Sequence, residues 1–174
     1  MPKAQPIKEP IFVFICSKQK EFESIRKTLS YEIGRQTLFL KPIFTADLAE
    51  DYPSVKTDEG VSKLIQKSSL YILLIGYQNS MYTEREFDYA ISKGLPILAY
   101  EYYRKKDKTY KKIQTNDFLD RVMKSGVKVR GHDDAFVKKS DLIDSVLLDI
   151  PEALGSLVNH YTRIKETVEA HNKF

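Results

Sequence analysis

The sequence contains no tryptophan and a single cysteine, Cys16. One cysteine excludes an internal disulfide and argues against a cysteine-based zinc site. The three histidines, His132, His160 and His171, are too scattered along the chain to predict a metal site. We therefore expect no bound metal, and any catalysis must depend on carboxylates, hydroxyls, tyrosines or lysines.

Long apolar runs are also missing. No run approaches the roughly 18–20 residues that a helix needs to cross a bilayer. Residues 1–9 carry charge but no apolar segment followed by a small-residue cleavage site, so they predict a short flexible arm rather than a secretion signal. We expect a cytoplasmic protein without membrane association.

Glycine-rich phosphate loops are absent as well. Neither GxGxxG nor GxxxxGK[ST] occurs in the sequence. Their absence argues against a dinucleotide-dependent oxidoreductase and against an NTPase. No cofactor is therefore expected.

Positive charge is concentrated in one segment of a chain whose net charge is only +4. Residues 104–112, with the sequence RKKDKTYKK, hold six basic residues and one acidic residue, the rest of the chain is nearly balanced in charge, and tyrosines lie among and beside the basic side chains. Such a pattern can bind nucleic acid or a polyphosphate. Because no nucleic-acid-binding motif accompanies it, a solvated loop is the favoured interpretation, and no nucleic-acid partner is expected.

Apolar, β-rich segments alternate with helical patterns along the chain. The segments are IFVFIC (11–16), LFLKPIF (38–44), LYILLIG (70–76) and PILAYEY (96–102). Continuous apolar strands are typical of a parallel sheet covered on both faces, and the alternation with helices predicts right-handed βαβ crossovers. With VKVRG (127–131) as a short extra strand, we predict a three-layer α/β fold with a parallel sheet of about five strands.

Glycines, a serine and a proline mark the predicted helix ends. Gly34 and Gly94 follow amphipathic stretches as C-caps, Ser140 is expected to cap a long C-terminal helix, and Pro151 is expected to kink or divide it. The C-terminal helices either pack on the sheet or form a dimer interface, and we expect a homo-oligomer. We divide the chain into a flexible arm (1–9), an α/β domain (10–130) and a C-terminal helical extension (131–174).

The carboxyl ends of parallel strands meet at one edge of a sheet, and ligands bind outside that edge. Glu86 follows the third strand and is the catalytic candidate, because a carboxylate there can stabilise or attack the oxocarbenium-like state of a breaking N-glycosidic bond. Glu84 is the alternative carboxylate. The other candidates for substrate binding are Ser17 as a hydrogen-bond donor and Tyr77 and Tyr82 as stacking partners for a base.

These residues also have structural interpretations. Thr83-x-x-Glu86 fits a capping box, in which Thr83 caps the helix and Glu86 reaches back to it. The tyrosines can simply pack, and Ser17 can cap the first helix. On local sequence alone, capping is the favoured role for Glu86.

Two blocks of the sequence, IFVFICSKQKEFESIRKTL and SSLYILLIGYQNSMYTEREFDYAISKGLPILAY, resemble a TIR-like family of uncharacterised domains often found ahead of STAND-type NTPases. The resemblance covers residues 10–102 and implies a flavodoxin-like sheet. In TIR domains that cleave NAD, the catalytic glutamate lies in a comparable "S…E…A" segment. The resemblance therefore places Ser80, Glu86 and Ala90 at the corresponding positions, with Glu86 catalytic and Ser80 in the substrate site.

The sequence leaves open whether the chain is an enzyme. The first hypothesis is a TIR-like signalling domain that cleaves NAD, its substrate, or a related nucleotide in bacterial defence or signalling. The second is a TIR-like interaction module without catalysis. The third is a nucleotide sensor or an enzyme similar to nucleoside 2-deoxyribosyltransferases, although the chain lacks the Asp-x-Gly-Thr part of their motif.

Overall fold

The structure is a computed structural model. It describes residues 11–17, 19–35, 37–38, 41–42, 44–47, 58–76, 81–103, 117–132, 136, 138–153 and 155. The strands in these ranges are β1 (Ile11–Cys16), β2 (Thr37–Leu38), β3 (Lys41–Pro42), β4 (Phe44–Asp47), β5 (Leu70–Ile75), β6 (Ile97–Glu101) and β7 (Val129–Arg130). The helices are α1 (Gln19–Arg35), α2 (Asp58–Lys67), α3 (Met81–Ser92), α4 (Asp117–Lys124) and α5 (Lys139–Ala153).

The body of the sheet is made of four parallel strands in the order β4-β1-β5-β6. The two-residue β7 pairs in parallel with the outer side of β6. Counted along the chain, this is the 2-1-3-4-5 order of flavodoxin-like folds. The predicted α/β fold with a parallel sheet is confirmed, whereas the fifth strand amounts to a two-residue bridge.

Helices cover both faces of this sheet, because β1 and β5 are apolar on both faces and must be shielded on both. Alternate residues of each strand point to opposite sides. One side packs against α1 and α5 through residues that include Val13, Leu29 and Val146. The other side packs against α2, α3 and α4 through residues that include Phe14 and Phe87.

The second strand differs from the prediction. Residues 38–44 were expected to form one strand, but β2 and β3 pair with each other in a small antiparallel sheet. The strand that joins the main sheet is β4, whose residues pair with β1. Pro42 explains the shift, since it cannot donate a ladder hydrogen bond and is therefore confined to the small two-stranded sheet.

The predicted helix ends are partly correct. Gly94 ends α3 with a φ of 67°, and the amides of Gly94 and Leu95 bond back to Ile91 and Ala90 in the pattern of a Schellman motif. Gly34 instead lies inside the last turn of α1. Lys138, rather than Ser140, precedes α5, and its amide donates to the Asp141 carboxylate.

The long helix α5 is anchored to the sheet by a buried carboxylate. Leu142 and Val146 of this helix are fully buried against α1 and the sheet. The Tyr100 hydroxyl donates to Asp149 Oδ2 at 2.7 Å, and Arg130 lies 2.6 Å from the other oxygen of Asp149. Burial and this carboxylate raise the pKa of Tyr100. Pro151 is accommodated in the last turn of α5.

Two predicted segments, the arm (1–9) and the basic segment (104–112), lie outside the described residues, as does almost all of 154–174. None of the helices in the described part of the chain is long and apolar enough to span a membrane.

We predict that Gly131→Ala destabilises the fold more than Gly94→Ala. Both glycines have a positive φ, which costs an alanine about 1–2 kcal/mol. A Cβ at Gly131 also lies 2.5 Å from the Glu101 carbonyl oxygen and 2.6 Å from the Phe136 ring, whereas a Cβ at Gly94 meets nothing within 4 Å. Overpacking of that kind adds about 1–3 kcal/mol. Urea unfolding of the two variants measures the difference, and equal losses contradict the prediction.

Candidate functional site

The candidate site lies where the chain connections of the sheet diverge. From β1 the chain runs to β4 on one side, and from β4 it crosses to β5 on the other side of β1. Ligands of open α/β sheets bind at this switch point, outside the carboxyl ends of the two central strands. Cys16 and Ser17 lie at the carboxyl end of β1, and Gly76 follows β5.

Glu86 is held at this point by a hydrogen bond from the end of β1. The Cys16 thiol donates to Glu86 Oε2, with a sulfur–oxygen distance of 2.8 Å. Cys16 itself is fully buried. A thiol that is fixed by the sheet therefore orients a carboxylate that is carried by a helix.

Helix α3 presents Glu86 to the sheet because of its apolar spacing. Thr83, Phe87 and Ala90 are buried at helical spacing, and Glu86 lies on the edge of the same face. The helix already begins at Met81. Thr83 is thus a residue of the first turn rather than the N-cap, and the predicted capping box with Glu86 at its third position is wrong.

The pKa of the Cys16 thiol is raised well above its usual value. Burial is the largest cause, followed by the charge of Glu86 and the hydrogen bond to it. Burial also raises the pKa of Tyr71, with further contributions from Cys16 and Glu86. Tyr71 therefore belongs to the same cluster, which we call the Cys16–Tyr71–Glu86 cluster.

One buried hydroxyl group at this site, Ser17 Oγ, has no hydrogen-bond partner within the described residues. The Tyr71 hydroxyl interacts with the Cys16 thiol. Buried polar groups in proteins are almost always hydrogen-bonded, to the chain, to water or to a ligand. Among the described residues, Ser17 Oγ is therefore the hydroxyl at this edge that is available to a polar ligand or to ordered water.

The other predicted site residues are more scattered. The Glu84 carboxylate is turned toward α4, where it lies 3.7 Å from the Arg121 guanidinium, because residues two positions apart point about 200° apart on a helix. The Tyr82 side chain is 64% exposed. Tyr77 and Ser80 lie outside the described residues. The structure thus brings Ser17 and Glu86 together, and it separates Glu84 from them.

Sequence reasoning missed the roles of Cys16 and Tyr71. Cys16 was interpreted only as a buried thiol, and Tyr71 as part of an apolar strand. A usable signal existed, since Cys16 is the last residue of its strand and so lies at the ligand-binding edge. No group of three or more His, Cys, Asp or Glu that could hold a metal ion occurs in the part of the chain that the structure describes.

The raised pKa of Cys16 predicts a loss of stability at alkaline pH. The thiol stays neutral in the fold but ionises in the unfolded chain near pH 8.5, so the free energy of unfolding falls above that pH, by at most about 1.4 kcal/mol per pH unit. The tyrosines with raised pKa, Tyr71 and Tyr100, add to the fall only above about pH 10.

Urea unfolding at a series of pH values measures this effect. Between about pH 8.5 and pH 10, Cys16→Ala is expected to flatten the fall, whereas the matched variant Tyr71→Phe is expected to keep it. Each substitution also changes the free energy of unfolding by an amount that does not depend on pH, so only the slopes of this free energy against pH are compared. An equal slope in the wild type and in Cys16→Ala contradicts the attribution of the alkaline loss of stability to Cys16.

Comparison with known proteins places the chain in a family. No curated protein matches it. The 2-desoxiribosyltransferase from Leishmania mexicana, a solved structure, is similar with 13% sequence identity and a TM-score of 0.43, over 87% of this chain and 99% of that one. Residues 12–150 match the model of a family described as a domain of unknown function, DUF4062. Because that match spans most of the 174 residues, the chain belongs to the DUF4062 family.

Proposed function

We propose that this domain binds a nucleotide at the carboxyl edge of its sheet and cleaves the N-glycosidic bond of that nucleotide, with NAD as the first substrate to test. The observation that carries the proposal is the orientation of Glu86 by the Cys16 thiol at the switch point between β1 and β5.

The position of Glu86 suits a nucleotide. Ligands of open parallel sheets lie outside the carboxyl ends of the strands. The N-terminus of α3 also lies at this edge, where the dipole of the helix favours a phosphate. A nucleotide whose phosphate lies at the start of α3 brings its ribose to the neighbouring Glu86, which is in the second turn.

The chemistry of one oriented carboxylate fits N-glycoside cleavage. The bond breaks through an oxocarbenium-like state, whose positive charge a carboxylate stabilises or attacks. Nicotinamide in NAD is already cationic, so it leaves as a neutral molecule and needs no acid. In this scheme Cys16, which itself interacts with the Tyr71 hydroxyl, fixes the orientation of the carboxylate, and the Ser17 hydroxyl binds the ligand or its water.

Resemblance supports the same reaction. The segment that contains Ser80, Glu86 and Ala90 resembles the catalytic segment of TIR domains that cleave NAD. The exposed Tyr82 ring lies in the first turn of the same helix and is available to stack on a base. We extend the proposal to a TIR-like role in defence or signalling, in which the domain acts as a homo-oligomer in the cytoplasm.

A nucleotide-binding or interaction domain without turnover is the second candidate. It is favoured by one observation: one oxygen of Glu86 already accepts a hydrogen bond from the chain itself. In that case Glu86 and Cys16 stabilise the packing of α3 on the sheet. Binding without product separates this candidate from the first.

We predict that the purified protein releases nicotinamide from NAD and that Glu86→Gln lowers the rate by at least about a hundredfold. Glutamine keeps an oxygen that accepts from Cys16, so the fold is expected to survive. Chromatography of nicotinamide measures the rate, at rising protein concentration so that any assembly is reached. The melting temperature of the variant checks folding.

Asp88→Asn is the matched control on the same helix. Asp88 pairs with Arg121 of α4 at 2.6 Å and lies two positions from Glu86, on another side of the helix, so the rate of Asp88→Asn is expected to equal that of the wild type. Equal rates for Glu86→Gln and the wild type contradict the role of Glu86. Binding of NAD, measured by calorimetry, without any released nicotinamide favours the second candidate.

A further inference from the structure

A second carboxylate is buried at the same edge of the sheet. Glu101 is the last residue of β6, and it is only 1% exposed. Burying a carboxylate is costly unless charged or hydrogen-bonding groups compensate for the lost water. Glu101 therefore needs a charged or hydrogen-bonding partner within the protein.

His132 is the partner of Glu101. Its Nδ1 atom lies 2.6 Å from Glu101 Oε2, which is a short hydrogen bond. The imidazole is 37% exposed, whereas the carboxylate is buried. The histidine ring thus runs from a buried carboxylate toward solvent.

The backbone is built to hold this pair together. Gly131, immediately before His132, has a φ of 83° and lies so close to the Glu101 carbonyl that a side chain does not fit. Pairing of Tyr100 with Arg130 sets the register of the two strands. The amide of Tyr102 bonds to the Ile75 carbonyl and fixes the end of β6 beside β5.

The pair lies at the carboxyl edge on which Glu86 also lies. Cys16, Leu73 and Ala99 are aligned across β1, β5 and β6. Glu101 lies two residues beyond Ala99 and on the same face of the sheet, since side chains alternate. The Cα atoms of Cys16 and Glu101 are thus about 10 Å apart across the strands and about 7 Å along them. Strand β5 lies between β1 and β6, so a sugar bound over the end of β5 has Glu86 on one side and the His132–Glu101 pair on the other.

The hydrogen bond decides which nitrogen of His132 accepts a proton. A carboxylate only accepts, so Nδ1 carries the proton of the neutral ring and Nε2 keeps its lone pair. No hydrogen-bond partner of Nε2 occurs among the residues that the structure describes. This is the arrangement of a histidine base that a carboxylate orients.

We infer that His132 is the base that activates water in the proposed cleavage, and that Glu101 is its positioning residue. The inference rests on the proposed function. The bond from the anomeric carbon to nicotinamide breaks, and its electron pair leaves with nicotinamide. A water oxygen bonds to the anomeric carbon, its proton passes to His132 Nε2, and the imidazolium then releases that proton to solvent.

The test uses His132→Ala with added imidazole. Loss of a general base is expected to lower nicotinamide release by about a hundredfold or more, and free imidazole is expected to restore it in proportion to its concentration. Glu86→Gln is the matched control, since imidazole does not replace a carboxylate and restores nothing there. His132→Gln keeps a donor to Glu101 but cannot act as a base, so it is expected to be as slow as His132→Ala without imidazole.

A purely structural pair gives different results. Recovery of the rate by His132→Gln, or wild-type rates in His132→Ala, overturns the role of His132 while the proposed function stands. A wild-type protein that releases no nicotinamide overturns the proposed function, and this inference with it.

A spectroscopic measurement adds a readout that does not depend on turnover. The chain has three histidines, so histidine labelled with ¹⁵N gives few signals, and His132→Gln assigns the relevant one. For the neutral ring of His132 we expect the Nδ1–H tautomer in the wild type and loss of that preference in Glu101→Gln. A wild-type ring protonated on Nε2 overturns the inference.

Discussion

The burial of β1 and β5 on both faces is the constraint from which the rest of the structure follows. Two apolar strands with no polar face need helices on both sides, and parallel neighbours need crossover connections. The connection after β1 crosses one face through α1, whereas the next three cross the other face through α2, α3 and α4, so the loops after β1 and β5 turn to opposite sides of the sheet. Because apolar side chains cover both faces of this sheet, the polar groups of the candidate site lie at the edge where the strands end.

The polar groups at that edge are more buried than those of an ordinary surface. The Cys16 thiol, the Tyr71 hydroxyl and the Glu101 carboxylate are each almost completely inaccessible to solvent. Removing each of these polar groups from water costs free energy, whereas burying an apolar side chain does not. Fold stability alone gives no reason to retain them, because well-packed apolar residues often serve as well in such places. The proposed binding of a nucleotide at this edge would supply a reason.

Two hydrogen bonds within the chain orient the carboxylates of Glu86 and Glu101. Cys16 joins β1 to α3 through Glu86, and His132 joins the end of β7 to β6 through Glu101. In both pairs the atoms come from segments that are far apart in the sequence. Asp149, which is buried like Glu101, connects α5 to β6 and β7 in the other layer. Its partners, Tyr100 and Arg130, satisfy both of its oxygens, as befits a structural role.

The sequence by itself determined the parallel α/β architecture, the strands β1, β5 and β6 and the C-cap at Gly94, because apolar periodicity and glycine are local signals. It did not determine that β4 rather than residues 38–44 joins the sheet, that α3 begins before Thr83, or that Cys16 and His132 hold carboxylates. Those outcomes depend on which strands become neighbours and in what register. Contacts between residues as distant as Cys16 and Glu86 exist only after the sheet has formed, so only the tertiary structure decided them.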